Sequence, residues 1–81
     1  MEKPWFVYIL ECQDGSFYTG VTNDLDKRMK VHLSGKGSKY VRLKGFKKLL
    51  QAKECKSKSH ACKAECRIKK LPKWEKLDWF N

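Results

Sequence analysis

The sequence predicts an α+β fold, a small three-stranded antiparallel sheet flanked by helices, with elements in the order β-β-α-β-α-α. Three observations carry that prediction. Two aromatic and β-branched runs are separated by an Asp-Gly turn signal, apolar residues recur at helical spacing in two later segments, and a Leu- and Lys-rich run lies between those segments. The 81 residues are expected to form one domain, 1–81, able to bury somewhat over roughly 60% of its unfolded surface. With 41% hydrophobic and 35% charged residues, the chain is of globular rather than disordered composition.

The two runs, 5–12 and 16–21, are expected to pair as a hairpin across Asp14-Gly15. Loop length decides its register. A two-residue loop would pair Glu11 with Tyr18 and turn Tyr8 and Tyr18 to opposite faces, because a shift of one residue reverses the faces. A three-residue loop, Gln13-Asp14-Gly15 with Gly15 left-handed, would instead set Tyr8 opposite Gly20 and Tyr18 opposite Leu10, on one face. Thr22-Asn23-Asp24 then supplies N-cap chemistry for a helix over 25–33, in which Leu25, Met29 and Leu33 recur at helical spacing and Gly35 is the stop. Ser34 to Tyr40 reads as a glycine-rich basic loop, without the spacing of a P-loop. Phe46 to Cys55 reads as the third strand, its lysines placing it at a sheet edge. Ser57 or Ser59 caps a second helix running to about Leu71, with Ala61, Ala64, Ile68 and Leu71 as its apolar stripe. Pro72 opens a short last helix with Trp74 and Leu77 expected to face inward.

Polar residues share the apolar faces. Arg28 and His32 lie along the stripe of Leu25, Met29 and Leu33, and a guanidinium turned toward a core faces a cleft or an anion unless it snorkels to water. Glu65 is the single acid in a strongly basic helix, at the margin of its stripe. It is placed either to pair with Lys69 or to hold a divalent cation against phosphate. The net charge of +10, from 19 Lys or Arg against 9 acids, points to a polyanionic partner, with nucleic acid ahead of an acidic membrane. Lys36, Lys39, Tyr40 and Arg42 are the candidate backbone contacts. There is no membrane-length apolar run and no signal-peptide pattern, so a cytoplasmic location and no membrane partner are expected. Nothing marks an obligate protein partner. Cys12, Cys55, Cys62 and Cys66 read as free, partly buried thiols, because the paired spacing of a zinc finger is missing even with His60 nearby.

The ordered set resembles the GIY-YIG endonuclease superfamily, in its small stand-alone branch. Val7-Tyr8-Ile9 stands where that family has its first tripeptide and Tyr18-Thr19-Gly20 where it has its second. Arg28 and His32 match its helix-borne pair, and Glu65 matches its metal-binding glutamate. The departures are Val7 for glycine, Thr19 for isoleucine, and Asn81 as the sole asparagine beyond Glu65. The resemblance implies metal-dependent hydrolysis of phosphodiester bonds, in DNA rather than RNA and linked to DNA processing or repair. Glu65 would hold one Mg²⁺ or Mn²⁺, Arg28 would grip phosphate, and Tyr8 by preference, or else Tyr18, would take a proton from water with His32 as its neighbour. The alternative is a non-catalytic DNA- or RNA-binding module on the same fold. A small basic ribosome-associated protein would also fit the charge, but would leave Glu65 and the paired tyrosines idle.

Overall fold

The computed structural model describes residues 3–81. In chain order the elements are β1 (Trp5–Cys12), β2 (Phe17–Thr22), α1 (Leu25–Leu33), α2 (Lys39–Lys44), β3 (Phe46–Cys55), α3 (Lys58–Lys69), α4 (Lys73–Lys76) and a terminal 3₁₀ turn, Asp78–Phe80. The strands form one antiparallel sheet in the order β2-β1-β3. The α+β class and the three-stranded antiparallel sheet are as the sequence predicts, with the lysine-bearing β3 at an edge. Among the described residues no helix is long and apolar enough to cross a membrane.

The hairpin has the three-residue loop. Cys12 N–H donates to the Ser16 carbonyl at 2.8 Å, and Gly15 N–H donates to the Cys12 carbonyl at 2.9 Å. Gly15 carries the left-handed conformation that closes such a loop, with φ 85°. The Asp14 carboxylate accepts from the Ser16 N–H at 3.0 Å, fixing the turn from its own side chain. The resulting register pairs Tyr8 with Gly20 and Leu10 with Tyr18.

Register then sorts the core into two layers. Tyr8, Leu10 and Cys12 point to one face, where they pack with Val41 of α2, with Leu25 and Met29 of α1, and with Tyr18, Phe46, Leu49 and Ala52. Val7 and Ile9 point to the other, under Ala64 and Ile68 of α3, with Phe17, Val21, Leu50, Leu77, Trp79 and Phe80 completing that layer. The adjacent Leu49 and Leu50 serve opposite layers by the ordinary alternation of a strand, and the β1–β3 register shift between Ile9 and Leu10 sets Leu49 opposite Leu10, in the layer of Tyr8. Asp24 caps α1, its carboxylate accepting from Lys27 N–H at 3.1 Å while Lys3 pairs with it at 3.0 Å. Ser57, the first of the two candidate caps, caps α3 through His60 N–H at 3.2 Å.

Three expectations are corrected. The stretch read as loop through Tyr40 ends at Ser38, which caps an additional helix, α2, so the order is β-β-α-α-β-α-α. One and a half turns of Lys-Tyr-Val-Arg-Leu-Lys, with Val41 alone buried, give too little periodicity to announce a helix. Leu33 is 73% exposed, because at 100° per residue it lies ~90° round from the centre of the stripe formed by Leu25, Arg28, Met29 and His32. Trp74 is 78% exposed rather than inward. The single turn of α4 can turn only one side to the core. Leu77, Trp79 and Phe80 fill that layer instead, the last two in edge-to-face contact at 5.1 Å.

Candidate active site

The site is built where side chains of α1 meet those of β1 and β2 on the face of the sheet that carries Tyr8. Tyr8 is fully buried on the central strand, and its side chain leans across Gly20 toward the β2 edge. A Cβ on Gly20 would lie 2.5 Å from the Tyr8 hydroxyl and 3.1 Å from the Tyr18 ring. Any side chain there would require the Tyr8 ring to shift. Tyr18 is half-buried beside it, ring centroids 6.5 Å apart, so both tyrosines share one face.

His32 descends from α1 onto this pair. It is 2% exposed, its Nε2 lies 2.9 Å from the Tyr8 hydroxyl, and its ring makes edge contacts with both tyrosines at 6.0 and 5.9 Å. Its Nδ1 is buried with no hydrogen-bond partner. Burial, with the charge of Arg28 beside it, pulls the His32 pKa from 6.5 to about 4, so the imidazole is neutral near pH 7. A neutral imidazole bears one N–H. When the proton is on Nδ1, Nε2 accepts from the Tyr8 hydroxyl.

Arg28, one turn before His32, is half-buried with its Nε shielded from water and unpartnered. Among the described residues no carboxylate pairs with it, so its donors are largely unspent. It borders a shallow surface pocket of about 210 Å³ with Thr22, Asn23, Asp24, Lys27 and Val31. Burial pushes the Tyr8 phenol above its ordinary pKa of 10.0. Hydrogen bonding from Arg28 works against that shift, the charges of Tyr18 and Glu65 reinforce it, and the charge of Arg28 again opposes it.

Glu65 approaches from the opposite layer. Its neighbours in sequence, Ala61, Ala64 and Ile68, are buried against the sheet, which leaves Glu65 on the flank of α3, half-buried, with its carboxylate 3.5 Å from Lys69. It is still near enough for its charge to bear on the Tyr8 phenol. One face of β1 and β2 therefore gathers Tyr8, Tyr18 and His32 with Arg28 beside them, while Glu65 belongs to the opposite layer.

Of the candidate backbone contacts, Lys36 remains in the exposed loop, whereas Lys39, Tyr40 and Arg42 belong to α2. Lys39 and Arg42 line a surface pocket of about 440 Å³ with Gly35 and Leu43. Tyr40, 39% exposed, is stacked on Tyr18 at 5.9 Å and so extends the aromatic cluster outward. Cys12 is buried, Cys55 half-buried, and Cys62 and Cys66 exposed. No group of three or more metal-ligating side chains occurs among the described residues.

Two residues of the site escaped the sequence reading. Gly37 lies against the His32 ring, where a Cβ would come within 2.2 Å of Nδ1, and Phe46 stacks on the same ring at 6.2 Å. Gly37 was visible only as one glycine of a basic loop, and its task is to let that loop close over the imidazole.

Fold and site together define a small α+β domain presenting two tyrosines, a buried histidine and an arginine without an ion pair among the described residues, around a glycine. The sequence model of the GIY-YIG catalytic domain matches residues 4–78, and the chain belongs to this nuclease family. Its relatives include a UPF0213 protein of Oceanobacillus iheyensis, 48% identical over 95% of this chain and 90% of the relative. Another is a UPF0213 protein of Xanthomonas axonopodis pv. citri, 42% identical over 98% of this chain and 78% of the relative. Two solution NMR structures are similar. A protein from E. faecalis is 40% identical with TM-score 0.65, covering 98% of this chain and 86% of that one. The UPF0213 protein of Bacillus halodurans is 45% identical with TM-score 0.57, covering 94% and 81%.

Proposed function

We propose that this chain is a metal-dependent nuclease that hydrolyses phosphodiester bonds in DNA, directed by substrate structure or nonspecific, in DNA processing or repair. The observation that carries the reading is the Tyr8–His32 hydrogen bond at 2.9 Å beside an arginine that has no carboxylate partner among the described residues. A structural arginine so placed would be expected to have a counter-charge. One kept free has its planar donors available for a phosphate oxygen and for the charge that develops in the transition state.

Tyr8 is the proposed general base. As it takes a proton from water, its own proton has an acceptor in Nε2 of neutral His32. Tyr18, the more exposed phenol, orients the water. Because Tyr8 has no exposed surface, water reaches its hydroxyl only when the edge around Gly20 opens to substrate. Lys36, Lys39, Tyr40 and Arg42 hold the nucleic-acid backbone beside this edge.

Glu65 offers one half-buried carboxylate, and among the described residues no group of three or more metal-ligating side chains occurs. A single hard oxygen donor suits Mg²⁺ or Mn²⁺ that keeps most of its water, and does not suit a closed cage. When bound, such an ion supplies positive charge that favours deprotonation of water and offsets charge on the phosphate. Lys69, now paired with Glu65, must yield for it.

One observation favours a second reading, a DNA- or RNA-binding module without catalysis: burial outweighs Arg28 and leaves the resting phenol a poor base. Incubation with branched, flapped, nicked and single-stranded DNA, with and without Mg²⁺ or Mn²⁺, separates the two. Cutting is expected with the ion, with losses of ~10²-fold or more in Tyr8→Phe and Glu65→Ala while binding persists. No cutting by the wild type, or equal cutting by the variants, would sink the nuclease reading.

A further inference from the structure

The β2 edge does not use most of the positive charge on α3. On the flank of α3 away from Glu65, His60, Lys63, Ala64 and Arg67 recur at i, i+3, i+4 and i+7 and line, with Trp79, a surface pocket of about 380 Å³. Lys53 of β3 stands over the Trp79 ring at 5.2 Å, which locates this pocket toward the β3 edge, across the sheet from the tyrosines. No acid lines it. Among the described residues Lys53, Lys63 and Arg67 take part in no ion pair, whereas Lys69, on the Glu65 flank of the same helix, does.

Like charges gathered around an indole at the cost of mutual repulsion mark a surface that meets a polyanion with π-faces. Lysine and arginine would neutralise successive phosphates, and the indole would offer a base a stacking platform, the combination that binds single strands without reading sequence. We infer that the α3–Trp79 pocket is a second nucleic-acid site, which holds a single-stranded segment at the opposite edge of the sheet from the active site.

This inference rests on binding and stands whether or not the β2 edge cuts. Lys63 and Arg67 are exposed, so Lys63→Ala/Arg67→Ala is expected to fold normally. Its affinity for an oligothymidylate, by fluorescence anisotropy, should fall ~10-fold, and its log–log salt slope by about 1.4 for two lost phosphate contacts. Hydrolysis of bis(p-nitrophenyl) phosphate, if the wild type shows it, should be unchanged. In a Trp5→Phe/Trp74→Phe background, where Trp79 is the only indole, the same oligonucleotide should quench emission. Unaltered affinity and slope in the double variant, or an indole blind to the oligonucleotide, would overturn the proposal. An equal loss of binding to poly-glutamate would do so too, by assigning the pocket to acidic chains at large.

Discussion

His32 is the residue whose chemistry the fold alters most. Its folded pKa of about 4 lies below the unfolded value of 6.5, so between those values the unfolded chain binds a proton that the folded one refuses. This contribution is complete above pH 6.5 and is lost as pH falls toward 4. Over that window it amounts to about 3 kcal/mol, an order-of-magnitude figure. Urea unfolding across pH 4–7 should show the decline in the wild type and a flatter profile in His32→Phe. Parallel profiles would mean that the imidazole titrates freely. Gly20 provides a steric test of the same centre. In Gly20→Ala the new methyl meets a buried phenol whose displacement would disturb its hydrogen bond to His32. The expected cost is ~1–3 kcal/mol of stability, with a ~10²-fold loss of any cleavage through misplacement of Tyr8. A variant as stable and active as the wild type would show that the ring moves aside freely.

At the scale of elements, the hairpin loop carries the most weight, because its three residues fix which face Tyr18 takes. Gly15 has a φ of 85° and open space around its Cα, so a side chain there meets backbone strain and no clash. Gly15→Ala is expected to cost ~1–2 kcal/mol and Gly15→Asn less, read as shifts in urea midpoint at constant slope. The register itself should survive, since both faces of the hairpin are buried and a slip would carry Tyr18 out of the layer of Tyr8 and Leu10 and into that of Val7 and Ile9. If alanine and asparagine cost the same, the left-handed turn is not what the glycine serves. This loop was legible beforehand as a choice between two registers, with Gly15 standing where a bulge would need it. The helix α2 was not legible. Half of its residues bear charge, and it is held by the Ser38 cap and by Val41 reaching the layer of Tyr8 and Leu10.

For the whole molecule, a charge of +10 on 81 residues makes binding to nucleic acid a matter of counterion release. Affinity for DNA should fall steeply and linearly on a log–log plot of binding against salt, with little difference between sequences of the same structure. A salt-insensitive preference for one sequence would contradict that picture. The charge was readable from composition. Its division between a cleft at one edge of the sheet and a pocket at the other was not, since only the packing of α3 shows which of its cations face which edge.

By itself the sequence determined what is local or periodic: the bounds of β3, the short segments that hold the caps of α1 and α3, the buried stripe of Ala61, Ala64 and Ile68, and the ordered set of Tyr8, Tyr18, Arg28, His32 and Glu65. These follow from spacing along one chain, which a reader of residues can count. Tertiary structure alone decided that Gly37 and Phe46 enclose His32, that Tyr8 is sealed from water, and that Arg28 has no carboxylate partner among the described residues. The reason is physical. Burial and charge pairing depend on which surfaces meet across the sheet, and residues distant in sequence supply them.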